Sequence, residues 1–219
     1  MLCTTPHNIH VHICGSQFDA KTLTNLVNIM HKQERLIEGA LGISASRLAQ
    51  YCKPISSAFM ARLETQRPRT IEAFSQAWYG HANARPTRYD SSRYAILNLN
   101  SFFYRRSIEV RAFEGSLHAG EVKSYVQFSL ALAAKALRAS STSSKRRAVD
   151  AAGTKYQMRV FLLGLGMVGD EFKTARHHLT KRLAGSTAWK GERRDRSARA
   201  PQVTATRNDE PADGTSAAA

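Results

Sequence analysis

Acidic residues are scarce in this chain. Its 219 residues carry 17 Asp and Glu against 32 Lys and Arg, for a formal net charge of +15. Cysteine is scarcer still, with three residues and no C-x-x-C spacing. That excludes a zinc ribbon or a disulfide framework and makes Cys3, Cys14 and Cys52 free thiols of a reducing compartment. No apolar run approaches the roughly 18 residues that span a bilayer. The opening MLCTTPHNIH has neither the basic nor the apolar region of a signal peptide. The expectation is a cytoplasmic protein with no membrane partner. RNP, KH, helix-turn-helix and zinc-finger patterns are missing too, so nucleic acid is not expected as a specific partner despite the charge. The excess sits late in the chain: residues 138–199 hold fifteen Lys and Arg against five Asp and Glu, +10 of the +15.

What is present begins with NIHVHICGS, residues 8–16. Its period-two alternation predicts a strand with Ile9, Val11 and Ile13 on one face and His10 and His12 on the other. Residues 19–42 carry the spacing of an amphipathic helix, with Asp19 as its cap and Gly42 just past its end. A second helical stretch is broken at Pro54, and Pro68, Gly80 and Pro86 mark a helix remnant followed by an irregular loop. Two strands follow, RYAILNLNSFF and RSIEVRAFEGS, separated by the basic turn YRR. In the second, Ile108 and Val110 alternate with Glu109, Arg111 and Phe113, so a carboxylate and a guanidinium share a face. The Ala- and Leu-rich stretch from about Gly120 to Arg138 is the clearest helix and is expected to pack behind the sheet. SSTSSKRR reads as a polar linker, and beyond it come an apolar segment, a glycine-punctuated turn and a basic helix.

These strands bear a recognisable chemistry. Glu109 offers a hard oxygen ligand and one histidine of His10 and His12 a further metal ligand, while the other histidine and Arg111 suit phosphate oxygens. The bland alternatives stand beside this reading: a polar outer face for the two histidines, and an ion pair at a sheet edge for Glu109 and Arg111.

NIHVHICGS, SSRYAILNLNSFF, SIEVRAFEGSLHAGEVKSYVQFSLALAAKAL and MRVFLLGLGMVGDEFKTARHHLTKRLAGSTAW, in this order, resemble the C-terminal half of the amidoligases. These are bacterial and phage-borne proteins of the carboxylate-amine ligase superfamily that includes glutamine synthetase. The resemblance implies an α+β fold: the antiparallel sheet of a glutamine-synthetase-like ligase, its N-terminal strands missing, with helices packed on one face. By the Gly-Met-His-x-His strand of glutamine synthetase, it implies a metal role for His10 and a phosphate role for His12. The family's Ile-Glu-x-Arg strand implies metal binding by Glu109 and contact of Arg111 with phosphate or transition state. Arg93 stands where relatives place an arginine on the nucleotide. Asn98 and Asn100, alternating on one strand face, are weaker candidates for substrate or nucleotide. Glu34, Arg47 and Tyr51 fall in family-like stretches without assigned chemistry.

The chain departs from the family at its start. Relatives begin with strands bearing Glu-x-Glu, and Asn8 replaces the usual Gly before His-x-His. The implied organisation is a partial catalytic domain over 1–139, a linker with a basic helical extension over 140–191, and a disordered tail over 192–219. The implied activity is amide-bond formation through an acyl phosphate, with ATP and Mg2+ as cofactors and a carboxylate and an amine, peptide or protein among them, as substrates. A complementary N-terminal half or a second copy of the chain would supply the missing strands. The alternative is a non-catalytic, degenerate ligase half that binds a protein partner or a polyanion.

Overall fold

The structure, a computed structural model, describes residues 8–189. The tail expected over 192–219, and Cys3, lie outside the described residues.

Strand β1 (Ile9–Cys14) alternates as its sequence demands. Val11 and Ile13 are buried while His12 and Cys14 are exposed. Gly15 ends it at a close approach: a Cβ there would lie 2.6 Å from the Phe102 ring and 2.9 Å from the Arg106 carbonyl oxygen, so no larger residue fits. Helix α1 (Ala20–Leu41) begins on a reciprocal cap, with the Asp19 carboxylate accepting from Thr22 N–H and the Thr22 hydroxyl accepting from Asp19 N–H. Such a cap contributes about 1 kcal/mol. Gly42, in the left-handed region at φ 65°, ends the helix. Four short elements follow: α2 (Ala45–Gln50), α3 (Ser57–Gln66), α4 (Ile71–Tyr79) and a 3-10 turn over Ser91–Tyr94.

The stretch RYAILNLNSFF is not one strand. Only Leu97–Asn98 (β2) joins the sheet, and Asn100–Arg105 forms helix α5. Local bonds divert the chain: the Ser101 hydroxyl donates to the Asn98 carbonyl at 3.1 Å and Ser101 N–H donates to the Asn98 side chain at 3.4 Å. Serine and asparagine offer the backbone such alternatives to a ladder. Arg106, at φ 55°, then turns the chain into β3 (Ser107–Phe113).

The sheet is antiparallel, in the order β1-β3-β2. Its register sets His12 opposite Glu109, and Asn98 opposite Glu109 on the other side. A register shift between Ile9 and Val11 brings Phe113 opposite Ile9. Simple alternation put Phe113 with Glu109 and Arg111; instead it is fully buried and stacked on Tyr125, ring centres 4.5 Å apart. Tyr125 belongs to α6 (Ala119–Arg138), the helix expected behind the sheet, which packs on both β1 and α1. No described helix is long and apolar enough to cross a membrane.

Beyond α6 the polar segment runs along α1 as a strap. Asn25 donates to the Ala136 and Ala139 carbonyls, Asn28 to Thr142 and His31 to Ser144, the last at 3.0 Å. Arg146 donates to the His31 ring and to Glu34. Helix α7 (Thr154–Gly164) then packs on α1, and α8 (Lys173–His178) packs on α6. A Lys181–Glu121 ion pair follows α8.

Candidate active site

Glu109 stands at the centre of the sheet face that carries the two histidines, itself 5% exposed. Its Oε1 accepts from His10 Nδ1 and from the Arg111 guanidinium, both at 2.9 Å, and lies 3.7 Å from His12 Nε2. Its Oε2 accepts from the Asn98 amide at 2.5 Å. Burial pushes this carboxyl up, but the bonds from His10, Arg111 and Asn98 more than offset that and hold it at about 2. It is a carboxylate throughout the neutral range.

His12 is held from behind. The Arg105 guanidinium lies 2.9 Å from its Nδ1, and the Ser107 hydroxyl 3.1 Å. Arginine only donates, so Nδ1 is the acceptor and the imidazole N–H is on Nε2, toward Glu109. Burial lowers the His12 pKa, Glu109 works against that, and Arg105 adds to the lowering. Arg111 is fixed just as firmly. Its Nε donates to the Tyr51 carbonyl at 3.3 Å, its own carbonyl accepts from Arg47 at 3.0 Å, and its guanidinium lies 5.8 Å from the centre of the Tyr94 ring. Arg47 is paired in turn with Glu114 at 2.9 Å.

Of the residues singled out in the sequence, His10, His12, Glu109, Arg111 and Asn98 come together. Asn100 does not: as the first residue of α5 it accepts from the Tyr79 hydroxyl at 2.5 Å and donates to the Thr87 carbonyl at 3.0 Å, which fixes a loop. The idea that Asn98 and Asn100 share a strand face therefore fails, because the strand has ended between them. Arg93 donates to the Arg88 carbonyl and lies 5.4 Å from the centre of the Tyr94 ring, beside the cluster rather than in it. Sequence reading missed Arg105, Ser107, Arg47 and Tyr51 as its supports. No sequence signal marked them: the pairing of Cys14 with Ser107, which lays YRRS against the histidine strand, is set by the fold.

The donor set decides what this cluster fits. Among the described residues no group of three or more His, Cys, Asp and Glu is placed to hold a metal. Magnesium asks for six near-octahedral ligands at about 2.1 Å, mostly oxygens; here there is one carboxylate, engaged on both oxygens and faced by a guanidinium. The described residues do not fit a magnesium ion by themselves. Two guanidiniums and two imidazoles are gathered around that one carboxylate.

A small antiparallel sheet that gathers these groups on one face, backed by helices, defines an α+β protein. The chain belongs to the amidoligase family: the family model described as "Putative amidoligase enzyme" matches residues 3–133. That stretch takes in all three strands and every residue of the cluster. No curated protein and no solved structure matches the chain.

Proposed function

We propose that this chain carries the phosphate-handling part of an ATP-dependent carboxylate-amine ligase site on a glutamine-synthetase-like fold. The observation that supports it is the convergence of His10, His12, Asn98 and Arg111 on Glu109 from three strands. In this reaction a substrate carboxylate oxygen attacks the γ-phosphorus of ATP as the bond to ADP breaks. The amine nitrogen then attacks the acyl carbon, and phosphate leaves as the amine loses its proton. Arg111 would face the transferred phosphoryl oxygens, and the His12 Nε2–H, 3.7 Å from Glu109 and not bonded to it, would turn to donate to the same charge. Glu109 keeps Arg111 and His10 in place.

Magnesium would accompany ATP in this reading, and its carboxylate ligands would come from outside the described residues, on an N-terminal half or a second copy. The purified chain alone is therefore expected to bind magnesium-nucleotide weakly and to release no ADP. Adding a segment with Glu-x-Glu, in cis or in trans, should produce ADP release that needs both an amine and a carboxylate and is lost in Glu109→Ala and His10→Ala. Turnover by the unextended chain, abolished by either substitution, would mean that the chain or a second copy completes the site. No ADP release in any of these mixtures would remove the ligase reading. The incomplete donor set favours one second reading, a degenerate ligase half that binds an anionic partner without catalysis.

A further inference from the structure

Next to the cluster, across the Tyr94 ring, lies a cavity of about 180 Å³ whose walls include Lys53, Ile55, Phe59, Trp78, Tyr94 and Ala95. Pockets that enclose a whole small molecule begin near ~300 Å³, so this one takes a part of a ligand whose remainder lies outside. Several of the polar groups of its walls are already engaged. Lys53 N–H donates to the Tyr94 carbonyl, Ile96 N–H to the Lys53 carbonyl, Ile55 N–H to Glu34 and the Trp78 indole to Ser92. An apolar group buried against Ile55, Phe59, Trp78 and Ala95 leaves none of these bonds unmade. Cations stand beside it: Lys53 is one of its walls, and two guanidiniums lie over its Tyr94 wall. Arg93 and Arg111 both stack on Tyr94, at 5.4 and 5.8 Å, and among the described residues Arg93 pairs with no carboxylate.

An apolar hole with a guanidinium beside its Tyr94 wall suits an apolar side chain next to a negative charge. We propose that the cavity binds the apolar side chain of the ligase's carboxylate substrate, an amino acid or the C-terminal residue of a peptide, with its carboxylate on Arg93. This rests on the ligase reading for the identity of the substrate, and it gives Arg93 to the substrate in place of the nucleotide.

Trp78 reports on its own cavity. The chain has two tryptophans, so a Trp189→Phe background isolates Trp78 emission. Titration with N-acetyl-L-leucine should change that emission saturably, at least about tenfold more tightly than N-acetylglycine, since burying a leucine side chain is worth that much. N-acetyl-L-leucinamide, which keeps the side chain and loses the charge, should bind more weakly than N-acetyl-L-leucine, and Arg93→Gln should erase that difference. Ala95→Phe should fill the cavity and abolish both. Equal binding of N-acetylglycine and N-acetyl-L-leucine would overturn the proposal. So would saturation by adenosine alone, or equal binding of the acid and the amide. The comparison of ligands on the chain with Ala95 and Arg93 intact decides the matter even if a variant fails to fold. Because the readout needs no turnover, a failed ADP assay with intact side-chain discrimination removes the ligase reading and leaves the cavity. Ligase activity without discrimination does the reverse.

Discussion

Glu34 and Glu109 are both buried carboxylates, and their surroundings drive them in opposite directions. Glu109 is brought down to about 2 by donors that outweigh its burial, whereas burial pushes Glu34 up to about 7 against the pull of Ile55 N–H and Arg146. The consequences for stability have opposite signs. Glu109 stabilises the fold above the ordinary carboxylate value of 4.5, and this contribution is lost as pH falls toward 2. Glu34 binds its proton more tightly in the folded chain, so its contribution is complete below 4.5 and is lost as pH rises through about 7. Urea unfolding of the wild type and Glu34→Gln from about pH 5 to about pH 8 should show this directly. The wild type is expected to lose on the order of 1–3 kcal/mol relative to the variant across that range. A constant difference would show that Glu34 titrates normally. Neither direction was legible in the sequence, where Glu34 has no assigned chemistry and Glu109 reads as a metal ligand or an ion-pair partner of Arg111, because partners such as Ile55 N–H and Asn98 are set by the fold.

At the scale of elements, the strap shows what sequence patterns carry and what they omit. α1 places Asn25, Asn28, His31 and Glu34 three residues apart, one polar stripe on a helix otherwise rich in buried apolar side chains. That spacing was in the sequence, but the partners are mostly backbone carbonyls of residues 136–144, which every polypeptide has. SSTSSKRR consequently read as a linker. α6 was legible because Ala and Leu set a strong helical period; RYAILNLNSFF was not, because Ser101 and Asn98 satisfy one another locally. Asn25, only 3% exposed, holds the start of the strap. Asn25→Ala is expected to cost about 1–3 kcal/mol by leaving buried carbonyls unpaired. It should also speed amide exchange over 139–147 and tryptic cleavage after Lys145 and Arg146. Unchanged exchange with lowered stability would assign the grip to Arg146 instead.

For the molecule as a whole, the heart of the site was written in two short patterns, His-x-His and Glu-x-Arg, because strand periodicity alone decides which side chains share a face. Its outer parts were not. Arg105 reaches His12 across 93 positions of sequence and Tyr51 reaches Arg111 across 60, contacts that only the packed chain creates. The same packing gives one carboxylate two duties. Glu34 accepts from Arg146 of the strap on Oε2 and from Ile55, a wall of the aromatic cavity, on Oε1. Two separate surfaces thus draw on a single group, and thermodynamic reciprocity binds them: whatever factor the docked strap adds to affinity in the cavity, an occupied cavity must add to docking of the strap. Saturating the chain with N-acetyl-L-leucine should therefore slow exchange of the strap amides, and Arg146→Gln should weaken binding of that ligand by a matching factor. Glu34→Gln should uncouple the two, leaving a binding surface and a clasp that no longer know of each other.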